Sequence, residues 1–327
     1  MADRYVPTID QARSLHRQMI RIRLFEEHAG ALAEAGKIPG FIHLYVGQEA
    51  IAVGVADNLR TGDAVTSHHR GHGHAIAMGA DLRAMYSELL GRRTGYCKGL
   101  SGSMHVSDSS IGMLGANGIV GAGIPHALGA AFHARYRGND SVAVAFFGDG
   151  ATNIGVFHES ANLAAVLGLP VIFVCENNGY AEFSPQSSQS LIADVADRAA
   201  SYGMPGEVVD GMDVCAVHAA AQRAIARARE GDGPMLLEAK TYRYYDHQGV
   251  KGLRKSYRSE EEVEQWRNRD PISSFEAWLD TEALLDHGEA ASVWAEVAEE
   301  VQSAASFADA QPEPDAADLM AYVYAGG

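Results

Sequence analysis

The chain contains 327 residues, of which 47% are hydrophobic, and its formal net charge at neutral pH is −16. That is enough apolar sequence to bury a sizeable core, in one large domain or in two smaller ones. The acidic excess argues against nucleic-acid binding, which requires a basic face, and the longest apolar runs are too short to cross a bilayer.

The three cysteines, Cys97, Cys175 and Cys215, are too isolated in the sequence to indicate a disulfide framework or a cysteine-rich metal site. The chain also starts without the apolar core of a signal peptide. Both observations favour a reducing, cytoplasmic location.

Helical periodicity dominates the first part of the chain. Apolar residues recur at intervals of three and four over residues 10–37, which predicts a long amphipathic helix, and a second helix is predicted over residues 48–59. Glycines and histidines interrupt residues 64–121 and indicate ordered loops around a site, with one helix near residues 82–90. A helix rich in small residues is predicted at 123–136.

Two continuous apolar runs, residues 141–147 and 170–175, have the length of buried strands and enclose a helical pattern that ends near Leu167. This order of strand, helix and strand predicts a parallel pair. Further strands at 207–209 and 235–240 flank a predicted helix at 214–229, and a charged helix is expected at 259–267. The predicted fold class is α/β, a doubly wound and mostly parallel sheet with helices on both faces.

Both ends of the chain differ from this central pattern. We expect a single domain over residues 1–327, with an N-terminal helical extension at about 8–37 and an acidic helical C-terminal extension at about 281–327. The acidic helices could pack on a partner protein, or they could present solvated faces, as charged helix surfaces usually do.

Polar residues follow the two central strands at the points where each strand ends. Gly148, Asp149 and Gly150 end the first strand, and Asn178 follows the second. Ligands of doubly wound sheets bind at this edge, glycines allow close backbone approach, and a helix N-terminus favours phosphate. Carboxylate and amide oxygens suit Mg²⁺. The sequence therefore predicts a site for a metal ion together with a diphosphate.

The spacing of these residues resembles the thiamine diphosphate fingerprint, since Asn178 lies 29 residues after Asp149 in the predicted strand–helix–strand context. Further blocks make residues 41–257 similar to the alpha subunit of the first component of 2-oxoacid dehydrogenase complexes. The matching blocks are residues 40–45, 47–49, 70–73, 98–99, 102–105, 117–121, 209–213 and 241–247. The resemblance implies a thiamine-diphosphate-binding fold.

The resemblance also implies thiamine diphosphate and Mg²⁺ as cofactors and gives roles to matching positions. Mg²⁺ would be bound by the side chains of Asp149 and Asn178 and by the carbonyl of Tyr180. Arg70 and Arg243 would neutralise phosphate charge, because a guanidinium fork suits phosphate oxygens. The other expected cofactor-binding residues are His69, Gly118, Val120, Gly148, Gly150, Ala151 and His247.

At the reaction centre the resemblance implies two catalytic histidines, His43 and His247, since imidazole can exchange protons near neutral pH. The main chain of Gly118 and Val120 would hold the aminopyrimidine. The family also has a beta subunit that supplies a glutamate to that ring and completes an α2β2 heterotetramer, so the chain alone is expected to be inactive. The product fragment would pass to a lipoyl-bearing acyltransferase core.

Two departures from the common family pattern bear on the substrate. His69 stands where the family often has tyrosine, and Gln248 stands where pyruvate-type chains often have a serine that mammalian relatives phosphorylate. Both departures resemble the acetoin dehydrogenase branch, as do residues 112–117, 176–182 and 203–206. The expected substrate is therefore acetoin, with pyruvate or a branched-chain 2-oxoacid as the alternative.

Two other functions are open from the residues alone. Four histidines, His68, His69, His72 and His74, could form a transition-metal cluster, although their spacing fits no familiar zinc pattern. The chain could also be a non-catalytic subunit, against which the complete fingerprint and the two predicted catalytic histidines argue.

Overall fold

The computed structural model describes residues 5–249 and 257–320. Residues 1–4, 250–256 and 321–327 are not described, so the last seven residues of the predicted C-terminal extension lie outside the described part. The first predicted helix is present as α1 (Ile9–Glu34), with the Thr8 side chain accepting a hydrogen bond from the Gln11 amide as N-cap. It ends before Lys37, because Gly36 adopts a left-handed conformation.

The remaining helices follow the predicted positions closely, with two additions, the short α3 and α9. They are α2 (Glu49–Ala56), α3 (His72–Ala77), α4 (Leu82–Leu89), α5 (Gly123–Arg137), α6 (Gly155–Leu167), α7 (Val214–Arg229), α8 (Glu260–Arg267), α9 (Pro271–Thr281) and α10 (His287–Asp309). No helix in the described ranges combines the length and apolar character needed to traverse a membrane.

A six-stranded sheet lies at the centre, and all its neighbouring strands pair in parallel. Its strands are β1 (Ala64–Thr66), β2 (Met113–Gly115), β3 (Ala143–Gly148), β4 (Val171–Asn177), β7 (Gly206–Asp210) and β8 (Met235–Lys240). The order across the sheet is β2-β1-β3-β4-β8-β7, and a separate hairpin is formed by β5 (Tyr180–Ala181) and β6 (Ser184–Pro185). The predicted α/β fold class is confirmed.

Both faces of the sheet are covered, because its central strands are apolar on both sides. In β3, Val144 and Phe146 belong to the core that includes residues of α1, α2 and α7. Ala143, Ala145 and Phe147 point the other way and pack with residues of α5 and α6. This two-sided burial explains why the strands show continuous apolar runs instead of alternation.

The parallel arrangement brings the carboxyl ends of the strands to one edge of the sheet. Thr66, Gly115, Gly148, Asn177 and Lys240 end five of the six strands. The loops that follow them contain the predicted site residues other than His43, which lies between α1 and α2, and Gly148, which ends β3. The topology therefore gathers segments that are far apart in sequence.

The two ends of the described chain pack on each other and on the core. Helix α10 contributes Val297 and Val301 to the same core as α1. Its acidic side chains meet the basic face of α1, where Arg17 lies 2.8 Å from Glu296 and Arg21 lies 3.0 Å from Glu300. Acidic side chains of α10 are thus paired with basic side chains of the same chain.

Candidate active site

A cavity of about 400 Å³ opens at the carboxyl edge of the sheet. All the predicted site residues except Arg243 line it. These are His43, His69, Arg70, Gly118, Val120, Gly148, Asp149, Gly150, Ala151, Asn178, Tyr180 and His247. Arg243 is buried beside the cavity and donates a hydrogen bond from Nη2 to the carbonyl of Glu182, a lining residue.

Local backbone structure shapes the floor of the cavity after β3. Residues Asp149–Asn153 form a 3₁₀ turn, in which the Thr152 hydroxyl donates to the Asp149 carbonyl at 2.7 Å. The predicted helix therefore begins six residues after Asp149, at Gly155, and not directly after the glycines. Gly150 is required here, because a Cβ atom would lie 2.5 Å from that of Ala181.

The two side chains predicted to bind a metal ion lie on neighbouring strand ends. Burial raises the pKa of Asp149 to about 6, because an enclosed carboxylate loses the water that stabilises its charged form. The side-chain amide of Asn178 donates to Gln48 Oε1 at 3.0 Å, which fixes its orientation, while its oxygen accepts from the Tyr180 amide at 3.3 Å. Gln48 was not among the predicted site residues.

Two buried guanidinium groups face the same region. Burial and the charge of Arg243 lower the pKa of Arg70 to about 9, and burial also lowers the pKa of Arg243. Arg70 donates to the carbonyls of Leu44 and His247, each at 2.9 Å. Among the described residues, Nε and Nη1 of Arg243 have no hydrogen-bond partner. Two crowded cations with an open set of donors form a binding site for an anion.

These observations agree with a diphosphate and a divalent cation bound side by side. The backbone of the Asp149–Asn153 turn adjoins the Asp149 carboxylate, and its residues Gly150 and Ala151 also line the cavity. The residues present therefore fit a metal–diphosphate pair.

Three histidine rings gather at the other end of the cavity. Ring centroids are separated by 4.7 Å between His43 and His69, 4.9 Å between His43 and His247, and 5.2 Å between His69 and His247. Burial and the charge of Arg70 lower the pKa of His43 to about 2 and that of His247 to about 3, and they lower the pKa of His69 as well. All three rings are therefore neutral at pH 7.

The tautomer of His247 follows from its neighbour. Arg70 Nη2 lies 3.2 Å from His247 Nδ1. A guanidinium can only donate hydrogen bonds, so Nδ1 must accept and the ring proton resides on Nε2. His247 is thus a neutral hydrogen-bond donor at Nε2.

The four histidines considered as a metal cluster do not converge. His69 joins the cavity group just described, whereas His68 and His74 both contact Glu176, at 2.6 and 3.0 Å. His72 contacts Glu26 and Ser103 instead. Closeness in sequence was misleading here, because the four residues cross from a loop into α3 and point in different directions.

Several lining residues were not among the predicted cofactor-binding or catalytic residues, namely Glu176, Glu182, Gln189 and His68, the last of which was considered only for a metal cluster. Glu176 carried one usable signal, since it is a carboxylate inside an apolar strand and directly precedes Asn177 and Asn178. A buried charge at a strand end commonly marks a site.

Residues 17–317 match the family model described as dehydrogenase E1 component. The chain is 48% identical to the alpha subunit of acetoin:2,6-dichlorophenolindophenol oxidoreductase of Bacillus subtilis, over 97% of this chain and 94% of that protein. The corresponding subunit of Cupriavidus necator is 46% identical over 95% and 93% of the two chains. The pyruvate dehydrogenase E1 component subunit alpha of Rhizobium meliloti is 46% identical over 93% and 87%.

Proposed function

The chain belongs to the dehydrogenase E1 component family, and we propose that it is the cofactor-holding alpha subunit of an enzyme that cleaves acetoin. Membership of this family implies thiamine diphosphate as cofactor and a beta subunit as partner. One observation carries the proposal: a single cavity is lined by the metal-type oxygen ligands Asp149 and Asn178, by the Arg70 guanidinium and by three neutral histidines, and Arg243 is buried beside it.

For the cofactor end, we propose that Asp149, Asn178 and the Tyr180 carbonyl bind Mg²⁺. Arg70, Arg243 and the amides of Gly150 and Ala151 would then bind the diphosphate, and the main chain of Gly118 and Val120 the aminopyrimidine. The raised pKa of Asp149 and the open donors of Arg243 support this assignment. The chemistry that thiamine diphosphate supplies when bound is a nucleophilic carbon and an electron sink for cleavage beside a carbonyl.

At the histidine end of the cavity, His247 is proposed to donate a hydrogen bond to the substrate and His43 to accept a proton from it. Because the proton of His247 resides on Nε2, this ring can donate a hydrogen bond to a substrate oxygen and stabilise charge that develops there. His43 Nδ1 has no partner in the described part of the chain. Burial and the charge of Arg70 lower the pKa of His43, and a bound diphosphate would neutralise that charge, so the ring would then be better able to accept a proton from a substrate hydroxyl.

Substrate choice follows from the charge at this end. Once a diphosphate neutralises the two guanidinium groups, the rings of His43, His69 and His247 offer no positive charge to a substrate carboxylate. A neutral hydroxyketone such as acetoin suits that environment better than a 2-oxoacid. The alternative substrate is pyruvate or a branched-chain 2-oxoacid, which the similarity to the Rhizobium meliloti chain favours.

The site as formed by this chain is open on one side. Val120 is 53% exposed and its neighbour Ile119 is 71% exposed, although Val120 lines the cavity. Exposed apolar side chains at a cavity rim are typical of an interface. We propose that the beta subunit covers them in an α2β2 heterotetramer and that the product fragment passes to a lipoyl-bearing acyltransferase. The unpaired cysteines support our proposal of a cytoplasmic location.

The beta subunit is also proposed to supply the glutamate that the aminopyrimidine needs. Two glutamates of the described chain line the cavity. Both carboxylate oxygens of Glu176 already accept hydrogen bonds, and Glu182 lies at the Arg243 end. The carboxylate of Glu176 is therefore already occupied by other donors.

The deciding experiment is dye-linked oxidation by the chain co-purified with its beta partner, with Mg²⁺ and thiamine diphosphate. We expect kcat/KM to be highest for acetoin among acetoin, pyruvate and a branched-chain 2-oxoacid. His69→Tyr should lower the preference for acetoin, whereas His287→Tyr, at a side chain that is 83% exposed, should not. A preference of the wild-type enzyme for an oxoacid would overturn the substrate and leave the cofactor assignment standing.

A further inference from the structure

A buried carboxylate lies beneath the cavity and joins three separate segments of the chain. Glu176, at the end of β4, is 1% exposed. Its Oε1 atom accepts hydrogen bonds from the Tyr45 hydroxyl and from His74 Nε2, the latter at 3.0 Å. Its Oε2 atom accepts from His68 Nε2 at 2.6 Å. Three donors on one buried carboxylate form a rigid connection between the strand end and the loop after β1.

The Nδ1 atoms of His68 and His74 contact different groups on the side away from Glu176. His68 Nδ1 lies 3.1 Å from the backbone amide of Arg70. An amide can only donate, so Nδ1 must accept, and the ring proton resides on Nε2 and points at Glu176. His74 Nδ1 instead lies 2.8 Å from the Ser67 hydroxyl, which can either donate or accept. Glu176 therefore selects the one tautomer of His68 that can bind the Arg70 amide.

The bond from His68 to Arg70 closes a turn. A side-chain acceptor that binds the amide two residues later constrains the backbone in the manner of an Asx turn. With the turn closed, the Arg70 guanidinium reaches the carbonyls of Leu44 and His247 and lines the cavity. The order of contacts is thus Glu176, His68, the Arg70 amide and the Arg70 side chain.

We propose that Glu176 and His68 are positioning residues that preset the turn at Arg70 for binding the diphosphate of the cofactor. This inference rests on the proposed function, in which Arg70 contacts that diphosphate. Neither side chain needs to touch the reacting atoms. Their effect is on cofactor affinity, because a guanidinium that is held in place loses less conformational freedom when the anion binds.

The structure offers a matched control within the same network. His68 and His74 both donate from Nε2 to Glu176 and both are buried, but only His68 continues to the Arg70 amide. His68→Phe and His74→Phe each keep a ring and remove one bond to the carboxylate. His68→Asn is the conservative variant, because its side-chain oxygen can still accept the Arg70 amide.

The test measures the dissociation constant of thiamine diphosphate at saturating Mg²⁺ by calorimetry, with the chain assembled with its beta subunit. We expect His68→Phe to weaken binding about tenfold, the order expected for losing one hydrogen bond to a charged group. His74→Phe and His68→Asn should both stay within about threefold of wild type, a smaller loss than one such bond. In an Arg70→Ala background, His68→Phe should cause no further loss, because its effect passes through Arg70.

Equal losses for His68→Phe and His74→Phe, or a further loss in the Arg70→Ala background, would overturn the positioning role. A His68→Asn variant that binds as weakly as His68→Phe would do the same. If His68→Phe does not assemble, as judged from the melting temperature, His68→Ala replaces it in the same comparisons. Failure of the wild-type assembly to bind thiamine diphosphate at all would instead overturn the proposed function.

Discussion

At the scale of single residues, the carboxylate of Asp149 is suited to binding a metal ion, but burying its charge lowers the free energy of unfolding. Its pKa rises from 3.8 to about 6 on folding because of burial. The native state therefore binds more protons than the unfolded state between these values, so the free energy of unfolding falls as pH rises through this window and stays lower above it. The difference corresponds to at most about 3 kcal/mol.

We expect Asp149→Asn to raise the melting temperature of the cofactor-free protein at pH 8 and to have little effect near pH 4, while abolishing Mg²⁺-dependent cofactor binding. The reason is that the amide avoids the cost of burying a charge and lacks the negative charge with which a carboxylate attracts the metal ion. Melting curves at the two pH values measure the first effect. Asp232→Asn, on the surface, is the control; equal shifts in both variants would contradict the assignment.

His43 allows catalysis to be separated from binding. Because its Nδ1 has no partner among the described residues, replacing the ring should cost little stability. We expect His43→Phe to lower kcat by about 10² to 10⁴, the range typical of a lost acid–base group, with the dissociation constant of thiamine diphosphate nearly unchanged. Steady-state kinetics and calorimetry on the assembled enzyme measure both. A parallel loss of cofactor affinity would show that His43 serves binding instead.

Residue roles could be predicted from sequence where a motif fixes them locally. Asp149 and Asn178 follow predicted strands, and their meeting at the sheet edge follows from parallel pairing. Gln48 and His68 could not be predicted in this way. Their partners, Asn178 and Glu176, are more than 100 positions away in the chain, and only the packed fold brings them together.

At the scale of elements, the hairpin β5–β6 packs closely against the turn after β3 because Gly150 has no side chain. A Cβ atom there would lie 2.5 Å from Ala181 Cβ, whereas one at Gly148 would meet nothing within 4 Å. We expect Gly150→Ala to displace the hairpin, and with it the Tyr180 carbonyl, and so to weaken Mg²⁺-dependent cofactor binding by about tenfold or more, since overpacking typically costs about 1–3 kcal/mol.

Two further variants test this steric explanation. Gly148→Ala should leave the melting temperature of the cofactor-free protein unchanged, because the described chain has room there. The double variant Gly150→Ala, Ala181→Gly should recover most of the lost affinity, because it removes the opposing methyl group. No recovery in the double variant would show that Gly150 matters for backbone conformation and not for its contact with the hairpin.

Most helices and the longer strands could be predicted from sequence, whereas the three-residue strands could not. Helices α1 and α7 and strands β3, β4 and β8 lie close to their predicted bounds, because each spans enough residues to show a period or a continuous apolar run. Strands β1 and β2 have three residues each, too few for any period. They are ordered by pairing with β3 and with each other, which is a tertiary effect.

At the scale of the whole molecule, the described ends join the central core. Residues of α1 and α10 belong to the same apolar cluster as the strands, which supports our proposal that residues 1–327 form one domain. The surface ion pairs between α1 and α10 contribute little to stability, about 0–1 kcal/mol each. They do pair acidic side chains of α10 with basic side chains of α1. Part of the negative charge of α10 is therefore balanced within the chain and is not available to a partner protein.

The last prediction concerns what one subunit can do alone. With its own core intact, the isolated chain should melt cooperatively, yet it should reduce no dye with acetoin, Mg²⁺ and thiamine diphosphate. The cavity rim at Ile119 and Val120 is exposed, and the glutamate that the aminopyrimidine needs is proposed to come from the beta subunit. Titration with the purified beta subunit should restore activity and saturate at one beta chain per alpha chain. Turnover by the isolated chain would mean that the active site is complete within one subunit, whereas a folded but inactive mixture with the beta subunit would favour a subunit that only binds.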